Sequence, residues 1–159
     1  MENITVESWE EFDEKLKSLL QTRETWKNEG PLYVSEFMYR GQPNSDWHLK
    51  TTLERIIHKE ISMLDYYRIV HFSKHRVETF TEKSWDIPSI EEYKELLEEN
   101  KDELFWDTFP AYDYIAYLRH LGFPSPLLDW TSSPYVAAFF AFDKVSDKVS
   151  HVSLYVLLE

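Results

Sequence analysis

Cysteine is absent from this chain, which excludes disulfides, thiolate metal sites and a cysteine nucleophile. Glycine is scarce, three residues in 159, so the few places that hold one stand out. No apolar run approaches the ~18 residues that a membrane-spanning helix needs. The first residues lack a signal-peptide pattern, and the expected location is the cytoplasm, with no membrane partner. Positive charge is also in short supply. Against 29 Asp and Glu stand 17 Lys and Arg, for a net charge of −12. That balance argues against general nucleic-acid binding, which needs cations clustered on the phosphates. Several motifs are missing as well. The chain has no GxSxG, GxxxxGK, GxGxxG or HExxH, so serine-hydrolase, phosphate-loop, Rossmann and zincin chemistry find no support.

What is present suits a globular chain. Hydrophobic residues make up 43% and aromatic residues 16%, with six Trp and ten Tyr. Such rings fill a core while their polar tips reach partners. The length fits one domain over residues 1–159 with a sizeable core. Charge is unevenly spread. From His48 to Arg76, six Lys and Arg face three acids, with four His. From Glu82 to Asp107, ten acids face three Lys. The second stretch reads as a solvated acidic helix face, as a protein-binding face over 82–107, or as mimicry of a nucleic-acid backbone.

In chain order, Ser8 and Glu11 form a capping box for a first helix, with Trp9, Phe12, Leu16 and Leu19 on one face. Leu32 to Arg40 reads as a strand, Phe37 and Tyr39 on one side and Met38 and Arg40 on the other. Pro43 to Asp46 is a turn. Leu53, Ile56, Ile57, Ile61 and Leu64 keep helical spacing, continued through Tyr67, Val70 and Phe80, as one long helix or two. Ser89 with Glu92 caps another helix, whose apolar side is Tyr93, Leu96 and Leu97. The helix of Tyr114, Ile115 and Leu118 ends with Gly122 at C′. Ser133 is an N-cap with Pro134 at the first helical position, and Val136, Ala137, Phe140 and Ala141 are expected to face inward. At the end, Val152, Leu154, Val156 and Leu158 alternate onto one side of a strand. The expected class is α+β, mostly helical with a small mixed sheet.

Two stretches could carry chemistry. Arg40 closes a mostly apolar strand, and its charge needs water, a carboxylate or an anion. It reads either as an ion pair with Asp129 or as a fork for phosphate or carboxylate. Gly41 beside it lets a backbone or a ligand come close. The run Asp129-Trp130-Thr131-Ser132-Ser133 precedes a helix start. It reads either as plain capping or as an anion site of free amides and hydroxyls. His120, at a helix C-terminus, is a dipole-favoured cation, a base, or an anchor for the Pro124-Ser125-Pro126 loop. His71 and His75 have metal-ligand spacing, but no third ligand is placed, and no metal is expected.

On these residues the chain resembles the FRG domain family, named for a conserved Phe/Tyr-Arg-Gly. Tyr39-Arg40-Gly41-Gln42, followed by Trp47, Leu49, Leu53 and Arg55, resembles the naming motif. His120-Leu121-Gly122, Leu127 to Pro134, and Ala137, Phe140 and Ala141 resemble the family's most distinctive signature. The first helix resembles its opening segment. One departure is Ser125-Pro126, where members usually carry Thr-Arg. A more distant resemblance is to ADP-ribosyltransferases, and it implies a corresponding fold and NAD as cofactor. On that resemblance Arg40 holds an NAD phosphate, and Thr131 and Ser132 line the nicotinamide-ribose pocket. Tyr39, Gly41, Gln42, His120, Asp129 and Trp130 complete the binding set. Arg40, Ser132 and Glu159 are the catalytic candidates, with Glu159 stabilising positive charge at the ribose C1′. Transfer or hydrolysis of NAD would follow. The other reading is a non-catalytic domain that binds a nucleotide, small ligand or protein, in phage defence or its inhibition.

Overall fold

The computed structural model describes residues 3–29, 36–99 and 110–158. Its elements are α1 (Trp9–Glu29), β1 (Phe37–Gln42), α2 (Thr52–Ile56), α3 (Met63–Thr81), α4 (Ile90–Glu99), α5 (Tyr112–His120), α6 (Pro134–Phe142) and β2 (Ser153–Leu158). The class is α+β and mostly helical. Where a mixed sheet was expected, the described sheet is one antiparallel pair, β1 with β2, joining chain segments more than a hundred residues apart. The chain falls into two compact units, Met1–Trp47 with Trp130–Glu159, and His48–Asp129.

The first unit holds α1, β1, α6 and β2. Ser8 caps α1 as expected, its hydroxyl accepting from Glu11 N at 3.2 Å, while the Glu11 carboxylate reaches back to Glu7 N at 2.7 Å. The described part of the first strand begins at Phe37; residues 32–35 of the expected strand lie outside the described residues. Along β1 the side chains alternate as the pattern predicts, with Phe37 and Tyr39 buried and Met38 and Arg40 half-buried. Phe37, Tyr39, Leu16 and Ala137 form the core, with Phe12, Leu19 and Leu154 against it. β2 pairs Leu154 with Gly41 and Val156 with Tyr39. Its alternation is not carried into burial: Val156, Leu157 and Leu158 are all exposed.

Helix α6 corrects one expectation. Ala137, Ala138 and Ala141 face inward, whereas Val136 and Phe140 are exposed. The reason is steric and lies at Gly41. A β-carbon there would overlap the Ala137 carbonyl oxygen and stand 2.7 Å from Ala141 N. So close an approach requires the small face of α6 against β1, which turns its bulky residues to solvent.

The second unit is helical, with α2, α3, α4 and α5. The long 51–81 pattern is two helices, each with its own cap. Thr51 and Glu54 make a reciprocal capping box for α2, and Ser62 caps α3. Leu53, Tyr66, Val70, Tyr114, Ile115 and Leu118 form the core. Ile56 and Phe80, which also fit the spacing, are exposed. Tyr67 and Tyr93 stack face to face with ring centroids 3.6 Å apart. The Ser89–Glu92 box caps α4 as predicted, through bonds of 2.7 and 3.2 Å. Helix α5 ends as predicted, with Gly122 at φ 85°. Gly122 N bonds Arg119 O at 2.9 Å and Phe123 N bonds Leu118 O at 3.0 Å, a Schellman closure.

Candidate functional site

The two stretches singled out in the sequence are joined by backbone bonds between Tyr39 and Thr131. Thr131 forms an isolated antiparallel bridge with Tyr39. Tyr39 N donates to Thr131 O at 2.7 Å, and Thr131 N donates to Tyr39 O at 2.9 Å. β1 is therefore bonded along one edge to β2 and held on the other by the turn that starts α6. This places Arg40 one residue from the junction, on the strand face opposite the buried Tyr39 ring. In register, Arg40 stands across from Tyr155.

Most residues of the two motifs have a structural duty. Tyr39 is 3% exposed, and burial raises its phenol above the ordinary value. Gly41 admits the α6 backbone, so of the backbone or ligand that its small size allows, the backbone is what approaches. Gln42 is buried and donates from Nε2 to Trp47 O at 2.8 Å, fastening the turn after β1. Within that turn Asn44 Oδ1 accepts from Asp46 N at 2.8 Å. Trp130 is half-buried.

The hydroxyl run divides its labour. Thr131 Oγ1 accepts from Ser133 N at 3.1 Å, and Ser133 Oγ accepts from Val136 N at 3.3 Å. Ser132 between them is exposed. The helix end offers fewer free amides than the sequence suggests, because Pro134 has no N–H and that of Val136 is already taken.

His120 and Asp129 belong to the second unit. His120 is exposed at the end of α5. The Asp129 carboxylate accepts two bonds from Arg119, one from Nε at 2.7 Å and one from the second terminal nitrogen. Arg119 also donates to Leu127 O at 2.6 Å. The fork and the carboxylate keep the Arg119 guanidinium above its usual value. Sequence reasoning passed over Arg119. The available signal was an arginine in the last turn of a helix, with an acid just past the loop that follows it.

The loop from Pro124 to Leu127 is anchored from several sides, with Arg119 on the Leu127 carbonyl. Tyr66 Oη donates to Pro124 O at 3.0 Å, and Thr52 Oγ1 accepts from Ser125 N at 2.9 Å. Ser125 is fully buried and its hydroxyl accepts from Leu127 N at 3.1 Å. The residue that departs from the usual Thr-Arg thus fixes the loop.

Glu159 lies outside the described residues, as do residues 100–107 of the acidic stretch. The remainder of that stretch contributes to a cleft of about 490 Å³ lined by Asp86, Ile87, Pro88, Glu92, Glu95, Leu96 and Glu99. His71 lies against the Tyr67 and Phe72 rings. Among the described residues no group of three or more His, Asp or Glu is placed to hold a metal, and no helix is long and apolar enough to cross a membrane.

No curated protein and no solved structure matches the chain. The family model of the FRG domain matches residues 35–150, a span that holds the Tyr39–Gln42 strand end, the His120–Pro134 signature and α6. The chain therefore belongs to the FRG domain family.

Proposed function

We propose that this FRG domain binds an anionic nucleotide at the junction of β1 and the Thr131 turn, with NAD as the ligand of an ADP-ribosyltransferase-like reaction. The observation that carries the reading is the pair of backbone bonds between Tyr39 and Thr131. They hold the Arg40 strand against a hydroxyl-rich turn whose middle hydroxyl, Ser132, is exposed. A guanidinium presents a planar fork suited to phosphate oxygens. With Pro134 and Val136 unable to offer amides, that cation carries more of the anion binding than the α6 terminus does. Tyr39 and Thr131 join the two stretches through their backbones, Gly41 and Gln42 brace the strand from its packed side, and Ser132 supplies a hydroxyl for a ribose or phosphate oxygen. In the reaction, the bond from ribose C1′ to the nicotinamide nitrogen breaks and the nitrogen leaves with the electron pair. Water or a target nucleophile then bonds to C1′ and releases a proton. A carboxylate beside C1′ would stabilise the cationic centre, and Glu159 is the residue assigned to it.

A second reading, a binding domain without turnover, is favoured by the structural duties of Tyr39, Gly41, Gln42, Thr131 and Ser133. Two measurements on one sample separate the readings. Melting is followed with NAD and with ADP-ribose, since a ligand that prefers the native state raises the midpoint, and free nicotinamide is assayed after incubation. The enzyme reading expects a raised midpoint with both ligands and nicotinamide release, each abolished in Arg40→Ala. A raised midpoint without release leaves the binding domain. No shift with either ligand overturns the nucleotide site.

A further inference from the structure

The outer face of α6 is apolar and exposed. The helix runs Pro134-Tyr135-Val136-Ala137-Ala138-Phe139-Phe140-Ala141-Phe142 without a charged residue. A helix apolar all round is normally buried on every side. Among the described residues of this helix, the buried ones are Ala137, Ala138 and Ala141. Tyr135, Phe139, Phe140 and Phe142, with Trp9 of α1, are each between 55% and 62% exposed, and Val136 is 43% exposed.

Ring contacts link some of these side chains. Trp9 lies 5.8 Å from Phe142 between ring centroids, and Phe139 lies 5.5 Å from Phe140 in an edge-on arrangement. The Tyr135 hydroxyl is bonded to Asp13 at 3.0 Å, which ties the helix to the start of α1. Aromatic side chains offer roughly 150–250 Å² each. Five rings at this exposure leave on the order of 500 Å² of aromatic surface in water, near the upper end of what a monomer shows. That is the core of a protein interface, which needs about 800 Å² per partner once its rim is added.

The charge beside the patch identifies the partner, since Asp13 is bonded to Tyr135 and other acids stand near it in the chain. Between Glu7 and Glu14 the chain carries five acids and no base. Glu10, Asp13 and Glu14 are on the same helix as Trp9. A second copy of the chain would bring the same acids against one another, on a molecule already at −12. An anionic lipid surface would be repelled as well. A cationic side chain gains twice, from the rim carboxylates and from the faces of the rings.

We propose that the α6 face, bordered by the acidic start of α1, docks a basic amphipathic protein segment, its apolar side on the rings and its Lys and Arg on the rim. The probe is a labelled synthetic peptide with Leu on one helical face and Arg on the other, compared with its Glu-for-Arg counterpart. Fluorescence anisotropy is expected to show binding of the basic peptide only, weakening as salt rises. Affinity should fall at least about tenfold in Phe139→Ser/Phe140→Ser and likewise in Glu10→Lys/Glu14→Lys, a loss of about 1.4 kcal/mol each. Both variants change exposed positions, so their melting midpoints should match the wild type. Five results would overturn the proposal. The peptides bind equally, or neither binds. The serine variant melts much lower, which means the chain itself covers the face. Sedimentation shows a wild-type dimer that the serine variant dissolves, assigning the face to a second copy. Vesicles of neutral lipid take up the wild type and not the serine variant, assigning it to a membrane.

Discussion

At Gly41 the missing side chain is what lets α6 lie against β1. Replacing it with alanine places a carbon inside the Ala137 carbonyl and close to Ala141 N, both of them backbone atoms that cannot swing aside. The expected loss in Gly41→Ala is about 3 kcal/mol, the high end for overpacking, read from the denaturant midpoint. Gly122 supplies the comparison, because nothing stands near a β-carbon there and only its φ of +85° resists substitution. Gly122→Ala should cost about 1–2 kcal/mol; losses that rank the other way would remove the packing explanation. The glycine of the Tyr-Arg-Gly motif was readable in the sequence as a point of close approach, but the identity of the approaching group was not. A lone glycine does not say whether backbone or ligand fills its space. Arg119 shows the opposite limit. Its pairing with Asp129 depends on a loop bending back ten residues later, and no local pattern records that bend. Arg119→Lys keeps the charge yet loses the two-pronged contact, so it should lower the melting midpoint. A midpoint equal to the wild type would mean the fork adds nothing.

Helix starts were legible at Ser8, Ser89 and Ser133, because a cap is a local chemical device, whereas the caps at Thr51 and Ser62 were not read from the sequence. Thr51 with Glu54 and Ser89 with Glu92 use side chains three residues apart to satisfy amides at the helix end, and Ser62 caps alone. Thr51→Ala, Ser62→Ala and Ser89→Ala should each cost about 1 kcal/mol. These caps also set an acid response. Backbone and serine or threonine hydrogen bonds hold Glu54 and Glu92 below their ordinary values, and Ser62 and Arg68 do so for Asp65. Each folded state binds its proton more weakly than the unfolded chain does. The stability from these carboxylates is present above their unfolded pKa and lost as pH falls through the folded one. Thermal midpoints of Glu54→Gln/Glu92→Gln should therefore decline less than wild type on acidification below the ordinary carboxylate range; parallel curves would show that the boxes carry no linkage. Orientation was less legible than existence. α6 is apolar on every side, so its periodicity could not choose an inward face, and the choice was made by Gly41 from another part of the chain. The last strand was recognised by its alternation, but β2 presents Val156, Leu157 and Leu158 to solvent, a distribution that alternation alone does not foresee.

Across the whole molecule tyrosine is buried in both units: among the described residues Tyr39 in the sheet unit, and Tyr66, Tyr67, Tyr93 and Tyr114 in the helical unit. Desolvation raises Tyr66 and Tyr67 from 10.0 to about 12 and pushes Tyr93 higher still. Their neutral form is the one the fold accepts. Stability from this source is complete below pH 10 and is lost as pH rises from there towards 12, since the unfolded chain ionises first. Tyr67→Phe/Tyr93→Phe should flatten that alkaline decline; an unchanged decline would locate it elsewhere. The α+β class was legible from the alternation of caps, turns and periods. The reading expected the two stretches to share a site, but the contact between residues 39 and 131 was not legible, as no periodicity reaches across ninety residues. That contact is also where the nucleotide reading stands or falls. The most direct test is a calorimetric titration of ADP-ribose into the wild type, Arg40→Lys and Ser132→Ala. The account predicts saturable binding to the wild type, a loss of tenfold or more in Arg40→Lys because a point charge cannot replace a fork, and a smaller loss in Ser132→Ala. Equal affinity of wild type and Arg40→Lys, or no heat in any of the three, would contradict it.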